Sequence, residues 1–124
     1  MLPQSQLMQP EPEINFEALA YSHIAKAAAA RKLLYYGELM EAIGLSHINP
    51  QHRGKLAEIM HNLCAQSFAK NKFMICSIVV SKGSKKPSTG FFNYAESLGI
   101  LKESDDRKAF LKSQKELVFS HYAG

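Results

Sequence analysis

The sequence predicts a mostly helical α+β domain with a small two- to three-stranded sheet, and three observations support this. A helical segment at residues 36–44 precedes a longer amphipathic helix at residues 50–69. The run 73–81 is apolar and rich in β-branched residues, as buried strands are. A loop of lysine, glycine and proline follows at residues 82–90. Helix, turn, helix, strand and basic loop is the chain order of a winged helix-turn-helix, here with extra N- and C-terminal helices.

The composition fits one folded domain. The chain has 124 residues, of which 46% are hydrophobic and 10% aromatic, enough for a single packed core. Residues 1–13 are rich in proline and glutamine and predict a flexible tail, so we expect the domain over residues 14–124. No apolar run is long enough to span a membrane, and the chain start lacks the pattern of a secretory signal. We therefore expect a cytoplasmic protein with no membrane partner.

Capping residues predict where the first two helices begin and end. Asn15 can accept a hydrogen bond from a free N–H of the first turn, and helical apolar spacing then continues to about Lys32. A short second helix is expected over residues 37–43. Gly44 should end it, because glycine readily adopts the positive φ of a helix C-terminus.

The third helix has the clearest start. Asn49 is a favourable N-cap and Pro50 suits the first helical position, and the helix should run to about Ala69. Its apolar stripe comprises Leu56, Ile59, Met60 and Leu63. Four polar side chains lie off that stripe, and we expect them to face a partner: His52, Arg53, Lys55 and Gln66.

Two further elements are expected after the basic loop. Residues 91–94 begin a return strand or enter a fourth helix that stops at Gly99. The last helix should start with Ser104 as its cap and end near Tyr122. Its apolar positions fit packing on the core or on a second subunit, so a homodimer through the C-terminal helix remains open.

Positive charge is concentrated in the middle of the chain. The net charge is +4, yet between residues 42 and 95 Glu58 is the only acidic side chain. The basic ones there are Arg53, Lys55, Lys70, Lys72, Lys82, Lys85 and Lys86. Such an excess attracts phosphates or an acidic protein surface. The alternative is a solvated lysine-rich loop.

Few residues indicate catalysis. Two cysteines are too few for a disulfide framework, and the five histidines are scattered without metal-ligand spacing. The chain has neither a phosphate-binding glycine loop nor carboxylates paired at a useful spacing. We expect neither enzymatic activity nor a metal or cofactor.

Three motifs resemble a family of DNA-binding proteins. Residues 36–40 read Tyr-Gly-Glu-Leu-Met, Arg53 lies near the start of the next helix, and residues 75–80 read Ile-Cys-Ser-Ile-Val-Val. Over residues 16–101 the chain resembles the C-terminal domain of alkylguanine-DNA alkyltransferases and alkyltransferase-like proteins. The resemblance implies a helix docked in the minor groove, with Tyr36 and Arg53 helping to rotate a nucleotide out of the duplex.

The family's active-site motif is altered here. The family has Pro-Cys-His-Arg-Val-Val, whereas Ser77 replaces its histidine and Ile78 its arginine. Alkyl transfer needs a thiolate, which a neighbouring histidine forms through water. Burial in an apolar run would raise the pKa of Cys76, so we expect a core residue and not a nucleophile.

A looser similarity connects the chain to small bacterial and phage proteins. They share the Tyr-Gly-Glu-Leu segment and a later pattern matched by residues 79–82, Pro87 and residues 90–91. This similarity suggests a shared winged-helix fold and a prokaryotic origin.

Two functions follow from these patterns. The first is a non-catalytic module that binds duplex DNA through helix 3, with Lys82, Lys85 and Lys86 as a wing on the backbone. The alternative is a protein-interaction module that regulates or inhibits another protein. In that case the aromatic residues 91, 92 and 94 anchor the partner, unless they only close the core beneath the loop.

Overall fold

The computed structural model describes residues 15–123, so the tail predicted at residues 1–13 lies outside the described part of the chain. Within that part, five α-helices, one 3₁₀ helix and a two-stranded sheet confirm the mostly helical α+β class. In chain order they are α1 (Phe16–Ala29), β1 (Leu34–Tyr35), α2 (Tyr36–Ala42), α3 (Pro50–Asn71), the 3₁₀ helix (Ile75–Ile78), β2 (Val79–Val80), α4 (Thr89–Ser97) and α5 (Arg107–Tyr122).

The predicted helix starts of α1 and α3 are confirmed. Asn15 Oδ1 accepts a hydrogen bond from the Ala18 N–H at 3.0 Å, and Asn49 Oδ1 accepts one from the Gln51 N–H at 2.9 Å. Gly44 follows α2 with a φ of +87°, the conformation expected of it. The predicted end of α1 at Lys32 is wrong: Arg31 has a φ of +55°, and the helix stops at Ala29.

The predicted strand over residues 73–81 is wrong for most of its length. Residues 73–80 are buried, as expected, but residues 75–78 form the 3₁₀ helix and only Val79–Val80 enter the sheet. Side chains from other elements accept hydrogen bonds from this segment. The Met74 N–H donates to Gln114 Oε1 at 2.8 Å and the Ile75 N–H to Ser67 Oγ at 3.0 Å. These side chains satisfy buried backbone N–H groups that would otherwise need partners in a sheet, so the segment can be buried without forming a long strand.

The partner strand, β1, was not predicted. Leu34 pairs with Val79 and Tyr35 with Val80, and the two strands run parallel. Within residues 15–123 the chain passes from the basic loop directly into α4, without a return strand. The sheet therefore has the smaller of the two expected strand numbers.

The last helix begins later than predicted. Asp106, and not Ser104, is its N-cap, because Asp106 Oδ1 accepts hydrogen bonds from the N–H groups of Lys108 and Ala109 at 2.9 and 3.3 Å. Asp105 instead accepts the Lys102 N–H within the preceding turn, at 2.8 Å. The predicted end at Tyr122 is confirmed.

The core surrounds the 3₁₀ helix, with α1, α3 and α5 packed against it. Its fully buried side chains include Ile24, Met74, Ile75, Val79 and Val118. The buried polar side chains Ser67 and Gln114 accept hydrogen bonds from backbone N–H groups of the segment before the sheet. No helix among residues 15–123 has the length and apolar character needed to cross a membrane.

Candidate functional site

An apolar pocket of about 400 Å³ lies between α2, α3, the 3₁₀ helix and the start of α4. It brings together residues that are far apart in the chain. Those with the most informative chemistry are Tyr36, Arg53, Cys64, Cys76, Phe91 and Tyr94. The three positions singled out by the alkyltransferase resemblance, Tyr36, Arg53 and Cys76, therefore share one pocket.

Tyr36 connects the pocket to two elements. It is the first residue of α2 and directly follows β1. Its hydroxyl accepts a hydrogen bond from the Ser88 N–H at 2.8 Å, just before α4 begins. Burial raises the pKa of the Tyr36 phenol, so the hydroxyl stays protonated at neutral pH and retains a hydrogen to donate.

The turn between α2 and α3 is held by two residues predicted to face a partner. Arg53 Nη1 donates to the His47 carbonyl oxygen at 2.9 Å, and this exposed residue also borders the pocket. His52 Nδ1 accepts the Ser46 N–H at 2.9 Å, so this nitrogen of His52 is occupied in supporting the turn. Ile48, which follows His47 in the same turn, is 75% exposed.

Three of the predicted basic residues lie on one tight turn. Lys82, Lys85 and Lys86 are all exposed, and the turn is closed by hydrogen bonds from the Lys85 N–H to the Ser81 carbonyl oxygen and from the Ser81 N–H to the Lys86 carbonyl oxygen. Ser88, which bonds to Tyr36, follows two residues later. The basic turn therefore leads into the rim of the pocket.

Lys55 lies apart from this group. Its ammonium group is 4.8 Å from the centroid of the Phe16 ring, near the start of α1. It borders a different depression, together with Glu17 and Glu58. The structure thus brings Tyr36 and Arg53 to one pocket beside the basic turn, and does not bring Lys55 there.

Cys76 and Ser77 have the environment of core residues. Cys76 is 7% exposed and Ser77 is fully buried. A hydrogen bond with Cys64, together with burial, holds the pKa of the Cys76 thiol well above its usual value. The Ser77 hydroxyl has no hydrogen-bond partner within residues 15–123. Neither residue provides a thiolate or a base at neutral pH.

Much of the pocket wall was missed by reasoning from the sequence. On α3 the lining residues are Arg53, Leu56, Ala57, Met60, His61 and Cys64. They recur at intervals of three and four, which is one face of a helix. That periodicity was visible, but it predicts burial against the core equally well. Phe91 and Phe92, expected either to anchor a partner or to close the core, are 5% and 7% exposed and belong to the core.

The aromatic part of the wall also comes from α4. The His61 and Tyr94 rings meet edge to face with centroids 4.7 Å apart, and Phe91 borders the pocket beside them.

No family model, curated protein or solved structure matches this chain.

Proposed function

We propose that this protein is a non-catalytic module that binds duplex DNA. In this proposal α2, the following turn and α3 act as a winged helix-turn-helix, and the basic turn formed by Lys82, Lys85 and Lys86 takes the place of the wing. One observation carries the proposal: Tyr36, Arg53 and Cys76, which match the alkyltransferase motifs, line a single pocket beside that turn.

The chemistry of the pocket suits a nucleobase. Its volume of about 400 Å³ falls within the range of about 300–1,000 Å³ for small-ligand pockets. Phe91 and Tyr94 offer aromatic surface on which a flat base can stack. A nucleotide rotated out of the duplex enters such a pocket once it has left the base stack. In this proposal the exposed Arg53 contacts a phosphate or the vacated stack.

The same residues favour binding over reaction. The Cys76 thiol stays protonated at neutral pH because its pKa is raised, and a thiol is a poor nucleophile without a base. Buried Ser77 occupies the place of the family's histidine and cannot activate it. The proposal is therefore that the base is bound and no alkyl group is transferred.

The first test concerns the basic turn. We expect the double variant Lys85→Glu, Lys86→Glu to weaken binding to a labelled duplex, because phosphate contacts release counterions and supply most of the sequence-independent affinity. Fluorescence anisotropy at a series of salt concentrations measures both the affinity and its salt dependence. The slope of log affinity against log salt should become shallower by up to about 1.8, or about 0.9 for each lost phosphate contact.

A matched control separates location from net charge. Lys108 and Lys112 are exposed on α5, away from the pocket, and Lys108→Glu with Lys112→Glu changes the net charge by the same amount. We expect this variant to retain the wild-type salt slope. Equal losses in the two double variants, or no duplex binding by the wild-type protein at low salt, would contradict the proposal.

The second candidate function is protein binding. Ile48, in the turn between α2 and α3, leaves 75% of its surface exposed, and in this candidate function its apolar side chain anchors the partner. A module of this kind regulates or inhibits its partner, and Leu117, 48% exposed on α5, offers a surface for a homodimer. Under this alternative the duplex titration is flat, and a partner captured from cell extract by the wild type is lost with Ile48→Glu.

A further inference from the structure

Two free, buried cysteines, Cys64 and Cys76, belong to the wall of one pocket. Cys64 lies on α3 and Cys76 in the 3₁₀ helix, and both line the pocket. They are 2% and 7% exposed, and the neighbouring Cys64 thiol is the main cause of the raised pKa of the Cys76 thiol. Neither is used by the proposed function, in which Cys76 is only part of the wall.

The backbone around the two cysteines is held in place. Ser67 Oγ lies 2.9 Å from the Cys64 carbonyl oxygen and 3.0 Å from that of Phe73, and it can donate to one of them at a time. The same oxygen accepts the Ile75 N–H at 3.0 Å. One side chain thus joins the turn of α3 that carries Cys64 to the residue that precedes Cys76. The Cys64 carbonyl oxygen and the Ile75 nitrogen therefore both lie within 3.0 Å of one oxygen atom.

We propose that Cys64 and Cys76 are a disulfide-forming pair that reacts with small disulfides entering through the pocket. The inference does not depend on what the pocket binds. An intramolecular disulfide requires its two residues to lie close together, and the Ser67 hydrogen bonds and the common pocket are the observations that bring Cys64 and Cys76 together. The pocket, at about 400 Å³, gives a small neutral reagent access to them. Bis(2-hydroxyethyl) disulfide is such a reagent.

The reaction proceeds by two thiol–disulfide exchanges. One cysteine loses its proton and attacks a sulfur of the reagent, which breaks the reagent's S–S bond and releases one mercaptoethanol. The other cysteine then loses its proton and attacks the first cysteine's sulfur in the mixed disulfide, releasing the second mercaptoethanol. In total, two protein S–H bonds are replaced by one S–S bond, and the reagent is reduced.

The alternative product is a mixed disulfide on one cysteine. It accumulates when the second thiol is too far away or wrongly directed to displace it. Since the pKa of the Cys76 thiol is raised by its hydrogen bond with Cys64 and by burial, either product should form faster as the pH rises. The nature of the product, and not the rate, therefore distinguishes a pair from two independent cysteines.

The test treats the folded wild-type protein with bis(2-hydroxyethyl) disulfide and measures the intact mass and the peptide map. We expect a mass lower by two hydrogen atoms, no mercaptoethanol adduct, and a peptide that joins Cys64 to Cys76. Persistent adducts would overturn the proposal. So would two free thiols in the folded protein under conditions in which the unfolded chain reacts fully.

Single variants supply the control. In Cys64→Ala or Cys76→Ala the remaining cysteine has no partner, so we expect a stable mercaptoethanol adduct in place of the internal bond. A disulfide between two protein molecules also removes two hydrogen atoms, but it gives a band of twice the mass on a non-reducing gel. If the wild type shows that band as its main product, the intramolecular pair is excluded.

Thermal unfolding gives a second readout on the wild type alone, which remains informative if a variant does not fold. A crosslink across a short loop restricts the unfolded chain, so the melting temperature of the oxidised protein should rise on the order of 10 °C. Dithiothreitol should reverse the rise. If oxidation leaves the melting temperature unchanged or lowers it, the bond does not fit the native structure, and that result would contradict the proposal.

Discussion

Tyr36 is the residue at which the sheet, the pocket and α4 meet. It follows β1 directly, begins α2 and accepts a hydrogen bond from Ser88 before α4. Its burial gives the phenol an electrostatic property that can be measured. Ionisation is disfavoured in the folded state, and the pKa of Tyr36 is raised above its ordinary value of 10.0 mainly for that reason.

This shift determines how stability changes at alkaline pH. Above the ordinary tyrosine pKa of 10.0 the unfolded chain loses the Tyr36 proton while the folded protein keeps it, so the free energy of unfolding falls as the pH rises. Below that pH both states are protonated and the group contributes no pH dependence. We expect Tyr36→Phe to lose less stability than the wild type when urea unfolding is measured over a pH series that spans 10.0.

For each protein, the free energy of unfolding at alkaline pH is compared with its own value at neutral pH. Any stability that the substitution costs at every pH therefore cancels. Ser88 is exposed, so water can accept its N–H in the variant and the cost at neutral pH should be small. Tyr122 also has a raised pKa because of its burial and its contact with Tyr21, so some alkaline loss should remain. Identical pH profiles for the two proteins would show that Tyr36 is not the origin.

At the residue level, the sequence predicted the local interactions and missed the distant ones. Asn15 and Asn49 cap helices through groups two or three positions away, and such interactions follow from residue type and spacing. The hydrogen bonds of Gln114 with Met74 and of Tyr36 with Ser88 join positions 40 and 52 residues apart. No local pattern specifies these pairs.

Helix α3 has different roles in its two halves. From Arg53 to Cys64 one of its faces lines the pocket, whereas Ser67 in the later part joins the helix to the segment before the sheet. The helix therefore permits a matched pair of substitutions. Ala57 is exposed and borders the pocket, while Ala69 is exposed and does not.

We expect Ala57→Trp to weaken duplex binding and Ala69→Trp to leave it unchanged. The indole introduced at position 57 would occupy space that the proposed nucleobase needs. Loss of one stacked base costs about 1–3 kcal/mol, which is about 5-fold to about 150-fold in affinity. Anisotropy titration of both variants measures this, with circular dichroism to show that α3 is intact. Wild-type affinity in Ala57→Trp would exclude the pocket from DNA binding.

At the level of elements, hydrophobic pattern predicted burial better than conformation. The apolar run ending at Val80 is buried throughout, yet most of it is not a strand, because Ser67 and Gln114 accept hydrogen bonds from its start. The two-residue β1 is too short to give a periodic signal. The α3 face that borders the pocket has the same spacing as a face packed in a core, so the pocket itself was not predictable.

In the whole molecule, α5 completes the core. Val118 is fully buried, and Leu111 and Gln114 are nearly so. Leu117, which directly precedes Val118, is 48% exposed. We expect Val118→Ala to lower the free energy of unfolding by about 2 kcal/mol, from two buried methylene equivalents and the cavity left behind. Leu117→Ala removes more atoms but should cost less, because its side chain remains half in water.

Urea unfolding followed by far-ultraviolet circular dichroism and by tyrosine fluorescence measures both variants. Coincident transitions from the two probes are expected, since α1, α3 and α5 share one core. Equal losses for the two substitutions would mean that Val118 is not part of the core. Separate transitions would mean that α5 unfolds independently of the rest.

The position of α5 at the end of the described chain has a consequence for biosynthesis. While a ribosome has released only the residues up to α4, the Met74 N–H lacks its acceptor on Gln114 and the apolar surface that Val118 covers faces solvent. The core can close only after α5 has left the exit tunnel. Nascent chains should therefore stay open to chaperones until α5 has emerged, and a premature stop before α5 should yield a fragment that is degraded.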